Sequence, residues 1–433
     1  MKRKSYLFLT LAVILVLSAV AIPASAKETA APAQPAVAAQ DAETLEIYIT
    51  GLTEDTQTWF RETVFPAFEA DHPGVKLEIL TGGWGTFDTD VAGWITTGEG
   101  PDIVYLGSEY AATYGDLLAD MDPYLADWED LANFLPAALE TATYDGHLRG
   151  LPLLMSPRPI FYRTDLFANP DAALPATFEE SLAFVQENTV VGDAGVEKQG
   201  FMDIGGGLFD AQEFIGYIWS AGGELYNEDG TSAFDSEATA EALQFMYDRR
   251  RAVLPTEDTP GLPPIEGTPL ASGVVVSGIF PMWNVPPTSD PIWENVAIGP
   301  YPAGANGEQL IQVFIDWLSV PEYVENKELA GEFLKFIGSK EYAIELNTVA
   351  GFTPVRTDAW DDIRANDPVW DQLLGLAEEY GRGFSDIRAS AELRPLIVEQ
   401  VTLFLTDQQS LEDTQAALKE AYDSILEANG YLD

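Results

Sequence analysis

Residues 45–49, Leu-Glu-Ile-Tyr-Ile, alternate with the two-residue period of a half-buried strand, and the run stops at Thr50-Gly51. Over residues 54–70 the period changes, and Trp59, Val64, Phe65 and Phe68 fall on one face of an amphipathic helix. The alternation then repeats. Residues 75–79 predict a second strand, Gly82-Gly-Trp-Gly85 a loop, residues 87–97 a helix and residues 101–105 a third strand. This βαβαβ order predicts a parallel sheet covered by helices. Ligands of such sheets lie beyond the carboxyl ends of the strands. That rule points at Thr50 and its loop, at Trp84, and at residues 108–110, which include Glu109 and Tyr110.

A second block of the same kind follows. Helices are predicted over 178–187, 211–220 and 236–251, a buried strand over 273–280, a further strand over 310–320 and a helix over 327–337. Residues 358–432 read as mostly helical. Between the blocks lies Tyr144-Asp-Gly-His-Leu-Arg-Gly-Leu-Pro152, then an apolar run with prolines at 157 and 159 and an aromatic end at Phe161-Tyr162. Prolines at this spacing favour extended backbone and cannot continue a helix. The stretch reads as a chain leaving one compact unit for another, and such a crossing is where a cleft forms. Arg158 lies in it.

The chain has 433 residues, ample for two domains or one split domain. Acidic residues number 70 against 22 basic, a formal charge of -48. Such a field repels nucleic acid and anionic lipid. It suits a solvated surface in salt or acid, and it would also suit a cationic ligand. There is no cysteine, which excludes disulfides, thiol catalysis and Cys-ligated metals. With His72 and His147 as the only histidines, a His-rich metal site has little to work with. No cofactor is expected.

The first 26 residues have the form of an export signal: Lys2-Arg3-Lys4, an apolar run, then Ala24-Ser25-Ala26. Their removal takes three basic and no acidic residues, so the charge falls from -48 to -51. No cysteine follows for lipid attachment. Residues 27–43 are Ala/Pro-rich and read as a tether. The expected location is periplasmic or extracellular.

Several segments, taken in order, resemble the extracellular solute-binding proteins of family 1, the maltose-binding-like sugar-binding components of ABC importers. They are Phe65-Pro-Ala-Phe-Glu-Ala-Asp-His-Pro-Gly-Val75, Gly98-Glu-Gly-Pro-Asp-Ile-Val104, Tyr144 to Pro152 with Phe161-Tyr162 and Asp165-Leu-Phe167, Trp219-Ser-Ala-Gly-Gly-Glu-Leu225, residues 326–334, and Gly351-Phe-Thr-Pro-Val-Arg356. The resemblance runs from about residue 44 to the C-terminus. His147 and Arg163 depart from the family's usual Lys and Asn. The resemblance implies an α/β, two-lobe periplasmic-binding-protein fold of type II, each lobe a mixed, mostly parallel sheet flanked by helices, with the ligand cleft between lobes. Residues 44–156 plus 314–356 would form the N-terminal lobe, and 157–313 plus 357–433 the C-terminal lobe. Three crossings are expected near residues 155–158, 311–318 and 355–358.

The implied partners are a small carbohydrate and the importer's membrane permease, with a monomeric chain. A sugar offers hydroxyls and apolar C–H faces, so its site needs flat aromatics and planar polar groups. Trp283, in a Pro-Met-Trp-Asn loop after the buried strand, is the expected stacking ring, with Asn284 beside it. Trp84 follows two glycines and is cleft-facing or a surface cap. Glu109 stands where relatives carry an acidic hydrogen-bonding residue, with Tyr110 next to it. Arg158 can fork onto two hydroxyls or form a structural salt bridge. Asp210 and Gln212 open the helix after the triple-glycine loop. Trp317 (beside Asp316) and Arg388 follow from the family's pattern. The competing classes are a polyamine binder and a secreted glycoside hydrolase. A hydrolase needs two opposed carboxylates, and 70 acids make some such pair inevitable, without any catalytic motif to mark it.

Overall fold

A computed structural model describes residues 43–202, 208–384 and 387–432, with backbone alone at 208–210 and 283. The export signal and nearly all of the tether lie outside the described residues. The first strand, β1 (Glu43–Thr50), pairs in parallel with β2 (Val75–Gly82) and with β3 (Ile103–Gly107). The intervening helices are as the pattern predicts. Residues 54–71 form one helical run, with a π-helical turn at Phe60–Val64. The helix Phe87–Thr97 ends on Gly98, whose φ of 72° is the left-handed cap that glycine accepts without strain.

Two long strands complete the sheet. β4 (Gly150–Arg158) is the expected crossing segment, and the next strand in the chain, β5 (Ile160–Arg163), continues beyond it. β6 (Ser277–Ile279) and β7 (Val296–Gly299) pair antiparallel with β5 on its two sides, forming a second, three-stranded sheet. β8 (Ile311–Ser319) returns to the first sheet and pairs antiparallel with both β3 and β4. β9 (Thr353–Pro354) closes the β4 edge, and β10 (Gly381–Gly383) pairs with the start of β8. The order in the first sheet is β9-β4-β8-β3-β1-β2. Among the described residues, parallel pairing is therefore confined to β1 with β2 and β3, β8 with β10, and isolated bridges such as Gln199–Val275. The described strands of the second sheet are antiparallel.

Two buried apolar clusters flank the crossing strands. The first holds Ile47, Ile103, Phe87, Met155, Val313, Ile315 and Trp317, and the second holds Tyr162, Phe214, Phe314, Leu393 and Tyr422. Strand periodicity divides β8 between them: Val313 and Ile315 face one way, Phe314 the other. Neighbouring Ile160 and Phe161 are divided in the same way. The buried residues after 357 divide between the two clusters. Trp360, Ile363, Val369, Trp370, Leu373 and Leu374 join the first cluster, not the second. Amphipathic spacing identifies these helices but carries no information about which core their apolar face meets.

Local chemistry fixes the helix starts. Thr177 forms a capping box at Phe178–Asn188: Oγ1 accepts from Glu180 N at 3.2 Å, and the Glu180 carboxylate accepts from Thr177 N at 3.3 Å. Thr177→Ala is expected to lower stability by about 1 kcal/mol, read by urea denaturation; an unchanged midpoint would show the cap to be redundant.

Candidate functional site: a buried polar seam between two cores

The carboxyl ends of β1, β2 and β3 lie side by side. Trp84, in the loop after β2, is half-buried, with its ring centroid 5.2 Å from Phe87 and 6.3 Å from Tyr105. Gly51 has a φ of 69°, and a Cβ there would sit 2.5 Å from the indole nitrogen of Trp84. Glycine at 51 is thus what lets the indole lie down over the strand end. Thr50 is buried beside Tyr48, whose phenol is pushed up by burial and held back by the Thr50 hydroxyl.

After β3 the chain enters a short 3₁₀ turn, Ser108–Tyr110, in which all three residues are buried. Glu109 is 4% exposed, and its Oε1 accepts from Arg394 Nη1 at 3.0 Å. Arg394 comes from the helix Ser390–Leu405, whose Leu393 and Ile397 belong to the second core. Its Nη2 donates to Asp88 Oδ2 at 2.7 Å and also to the Tyr110 hydroxyl. Tyr110 donates in turn to Asp88 Oδ1 at 2.6 Å. One guanidinium therefore holds three acceptors on elements of the first core.

The crossing strands contribute the rest of the seam. On β8, the residues that alternate away from the first core are Gln312, Phe314 and Asp316. Their cross-strand partners on β4 are Arg158, Ser156 and Leu154. A register shift between Asp316 and Trp317 marks a bulge at this point. Asp316 Oδ2 accepts from the Tyr105 hydroxyl at 2.8 Å. Arg158 lies over the Phe314 ring, 5.1 Å from its centroid. It also lines a cavity of about 10 Å³ with Gln212, Glu213, Tyr301 and Gln312, room for about one water.

Burial dominates the electrostatics. It pushes the Asp316 carboxyl up to about 7 against the opposing Tyr105 hydrogen bond and the Arg158 charge. It raises Glu109 although Arg394 pulls the other way. Arg158 is brought down to about 10 by burial, with Asp316 resisting. For Arg394 burial is outweighed by Glu109, Tyr110 and Asp88, which hold it above the ordinary arginine range.

The seam thus gathers Thr50, Trp84, Glu109, Tyr110 and Arg158, and Gln212 adjoins it through its backbone carbonyl, which accepts from Gln312 Nε2 at 2.8 Å. Other candidates are placed elsewhere. Trp317 is fully buried in the first core, its indole N–H donating to the Gly107 carbonyl at 3.1 Å, so it shows no face to a ligand. Regular alternation along β8 leaves Asp316, not Trp317, on the seam. Arg388 lies 4.4 Å above the Tyr226 ring, and its carbonyl accepts from Tyr422, which makes it a strut of the second core. Asn284 lines a separate groove of about 490 Å³ with Gln199, Met202, Leu254 and Leu262. The side chains of Trp283 and Asp210 lie outside what the structure describes.

Arg394, Asp88 and Tyr105 were not singled out by sequence reasoning. Arg394 did carry a signal: it stands in the N-terminal half of a helix, where the dipole disfavours a cation, and next to the core residue Leu393.

Two α/β bodies joined by crossing strands, with a buried polar seam at their junction, define a two-lobe clamp for a small solute. The chain belongs to the bacterial extracellular solute-binding protein family, whose model matches residues 50–344. It is 24% identical to the arabinooligosaccharide-binding protein of Halalkalibacterium halodurans over 332 residues, covering 68% of this chain and 69% of the relative. Among solved structures, maltose-bound MalE3 of T. maritima superposes with a TM-score of 0.73 at 20% identity, over 89% of this chain and 100% of that one. An ABC transporter solute-binding protein of Thermotoga lettingae bound with α-D-tagatose gives 0.74 at 22%, with the same coverage. Members of the family are binding proteins exported from the cytoplasm. Among the described residues no helix is long and apolar enough to cross a membrane.

Proposed function

We propose that this chain captures a neutral carbohydrate outside the cytoplasm and delivers it to the permease of an ABC importer. The observation that carries the reading is the seam itself. A half-buried indole, Trp84, adjoins Tyr105, which is bonded to Asp316, and buried Glu109 and Arg158 lie close by. Flat apolar faces beside planar polar groups match the two kinds of surface a sugar presents. Residues 1–26 direct export, 27–43 form a tether, and the chain acts as a monomer without enzymatic activity or nucleic-acid binding. The lobes divide at the crossing strands β4 and β8, with a third crossing after residue 355. Trp283 supplies the second stacking face from the other lobe.

Calorimetric titration with neutral mono- and oligosaccharides, polyols and polyamines tests the reading. A sugar is expected to bind, and Trp283→Ala to weaken it by about thirtyfold, the effect of losing about 2 kcal/mol at a buried aromatic anchor. A response to polyamines alone would replace the sugar reading with the cationic one that the acidity also suits. Unchanged affinity in Trp283→Ala would remove that ring from the site.

A further inference from the structure

Outside the seam, three side chains able to ligate a metal meet at the surface: Asp120, Asp122 and His147. Local chemistry brings them together. Asp145 and Gly146 both have positive φ, 51° and 77°, as a two-residue hairpin turn requires. The turn fixes the pairs Thr143–Leu148 and Tyr144–His147, and with them the place of His147. The aspartates follow on a neighbouring segment that is tied to this hairpin. The Met121 N–H donates to the Leu148 carbonyl at 2.8 Å, and Met121 and Leu148 are both buried. Backbone held by buried neighbours therefore carries all three groups.

The carboxylates are oriented as well as placed. Asp120 Oδ1 accepts from Asp122 N at 3.0 Å, and Asp122 Oδ1 accepts from Leu148 N at 3.2 Å. Each acid uses one oxygen on the backbone and presents the other to the histidine. His147 Nδ1 lies 3.4 Å from Asp120 Oδ2 and 3.0 Å from Asp122 Oδ2. A single proton on that nitrogen cannot align with both oxygens, and 3.4 Å exceeds the usual N–H···O range. One ligand atom from each residue lies within 4.8 Å of the other two. Carboxylate oxygens this close repel unless positive charge sits between them. A tetrahedral ion with bonds of about 2.0–2.1 Å sets its ligand atoms about 3.3 Å apart, close to both distances from Nδ1.

We propose that Asp120, Asp122 and His147 bind a zinc-type divalent ion, with solvent completing its coordination. The imidazole nitrogen favours zinc and its late first-row neighbours over magnesium and calcium, which take oxygen ligands. The two carboxylates balance the charge of the dication. The backbone N–H groups behind them supply the supporting hydrogen bonds that metal-bound carboxylates keep. The ion clips the 120–122 turn to the 143–148 hairpin, which leads directly into β4. It stabilises the folded chain, because only folding brings the three ligands together. The site rests on no assumption about the solute.

Calorimetric titration of the full chain with ZnCl2 tests this. The protein carries no histidine tag, is first stripped with EDTA and exchanged into chelator-free buffer, and is titrated in excess MgCl2, which occupies the general acidic surface. One zinc is expected to bind per chain with a micromolar dissociation constant, and zinc is expected to raise the melting temperature. The His147 side chain is 50% exposed, so His147→Gln should fold as the wild type does. It should weaken zinc binding by more than about tenfold, since disturbing even the hydrogen-bond partners of metal ligands has effects of that size. Should His147→Gln fail to fold, Asp120→Asn carries the test, because its amide oxygen can still accept from Asp122 N while one ligand charge is lost. Zinc binding that excess MgCl2 abolishes, or equal binding by wild type and variant, overturns the site and leaves a histidine paired with two acids.

Discussion

Trp317→Ala is expected to lower the free energy of unfolding by about 3–5 kcal/mol, the range for truncating a large buried ring. The indole is fully buried in the first core. Its removal opens a cavity and also leaves the Gly107 carbonyl without its donor. Urea denaturation reads the loss. The contrast with Trp283→Ala is informative: one tryptophan should cost stability, the other affinity. A loss below about 1 kcal/mol, a size ordinary for point substitutions generally, would mean that the indole is not the packed core residue described.

The second large effect is one of pH. Burial pushes the Asp316 carboxyl up to about 7 in the folded chain, from an ordinary 3.8. Between those values the native state binds a proton that the unfolded chain has released. Stability from this group is therefore fully present below the lower value and is lost as pH rises to about 7, by on the order of 4 kcal/mol. Many exposed carboxylates add their own repulsion as pH rises, so the wild-type profile alone cannot isolate it. Asp316→Asn does. The variant and the wild type should match near pH 4, and the variant should become progressively the more stable of the two as pH rises from about 4 to about 7, with no further divergence above that. Parallel stability profiles from pH 4 to 8 would show that Asp316 stays ionised throughout, with Arg158 and Tyr105 compensating its burial.

Much of the scaffold was legible because it is written in local periods. The helices at 87–97 and 327–337 and the alternation of β1 are each set by residues within a few positions of one another. Arg158 and Glu109 could be placed at the junction because strand ends and proline-rich crossings have local marks. Arg394 could not be linked to Glu109, since 285 residues separate them and no local rule couples them. Trp317 was taken for a ligand contact from the family's pattern, but adjacent strand residues face opposite ways, and Trp317 alternates with Val313 and Ile315 into the first core. Arg388 failed for a related reason: its partners Tyr226 and Tyr422 come from distant helices and loops. Which core the helices after 357 join was not legible, because amphipathic helices declare a buried face without naming the core it meets.

The division of β8 between two cores has a consequence for how the chain can change over time. Ile311, Val313 and Ile315 serve one interior while Phe314 serves the other, and the opposing β4 is matched residue for residue from Arg158 back to Leu154. A slip of one position would turn every side chain of the strand to the wrong face. Most insertions in a protein of this size trouble only the region they enter. An insertion before the bulge in β8 would corrupt both interiors at once and misplace Gln312 and Asp316 with them. The strand acts as a shared ruler, and the bulge at Asp316 and Trp317 is the one place where its spacing already departs from regularity. An insertion in a surface loop is accordingly expected to be tolerated, and one in β8 is not.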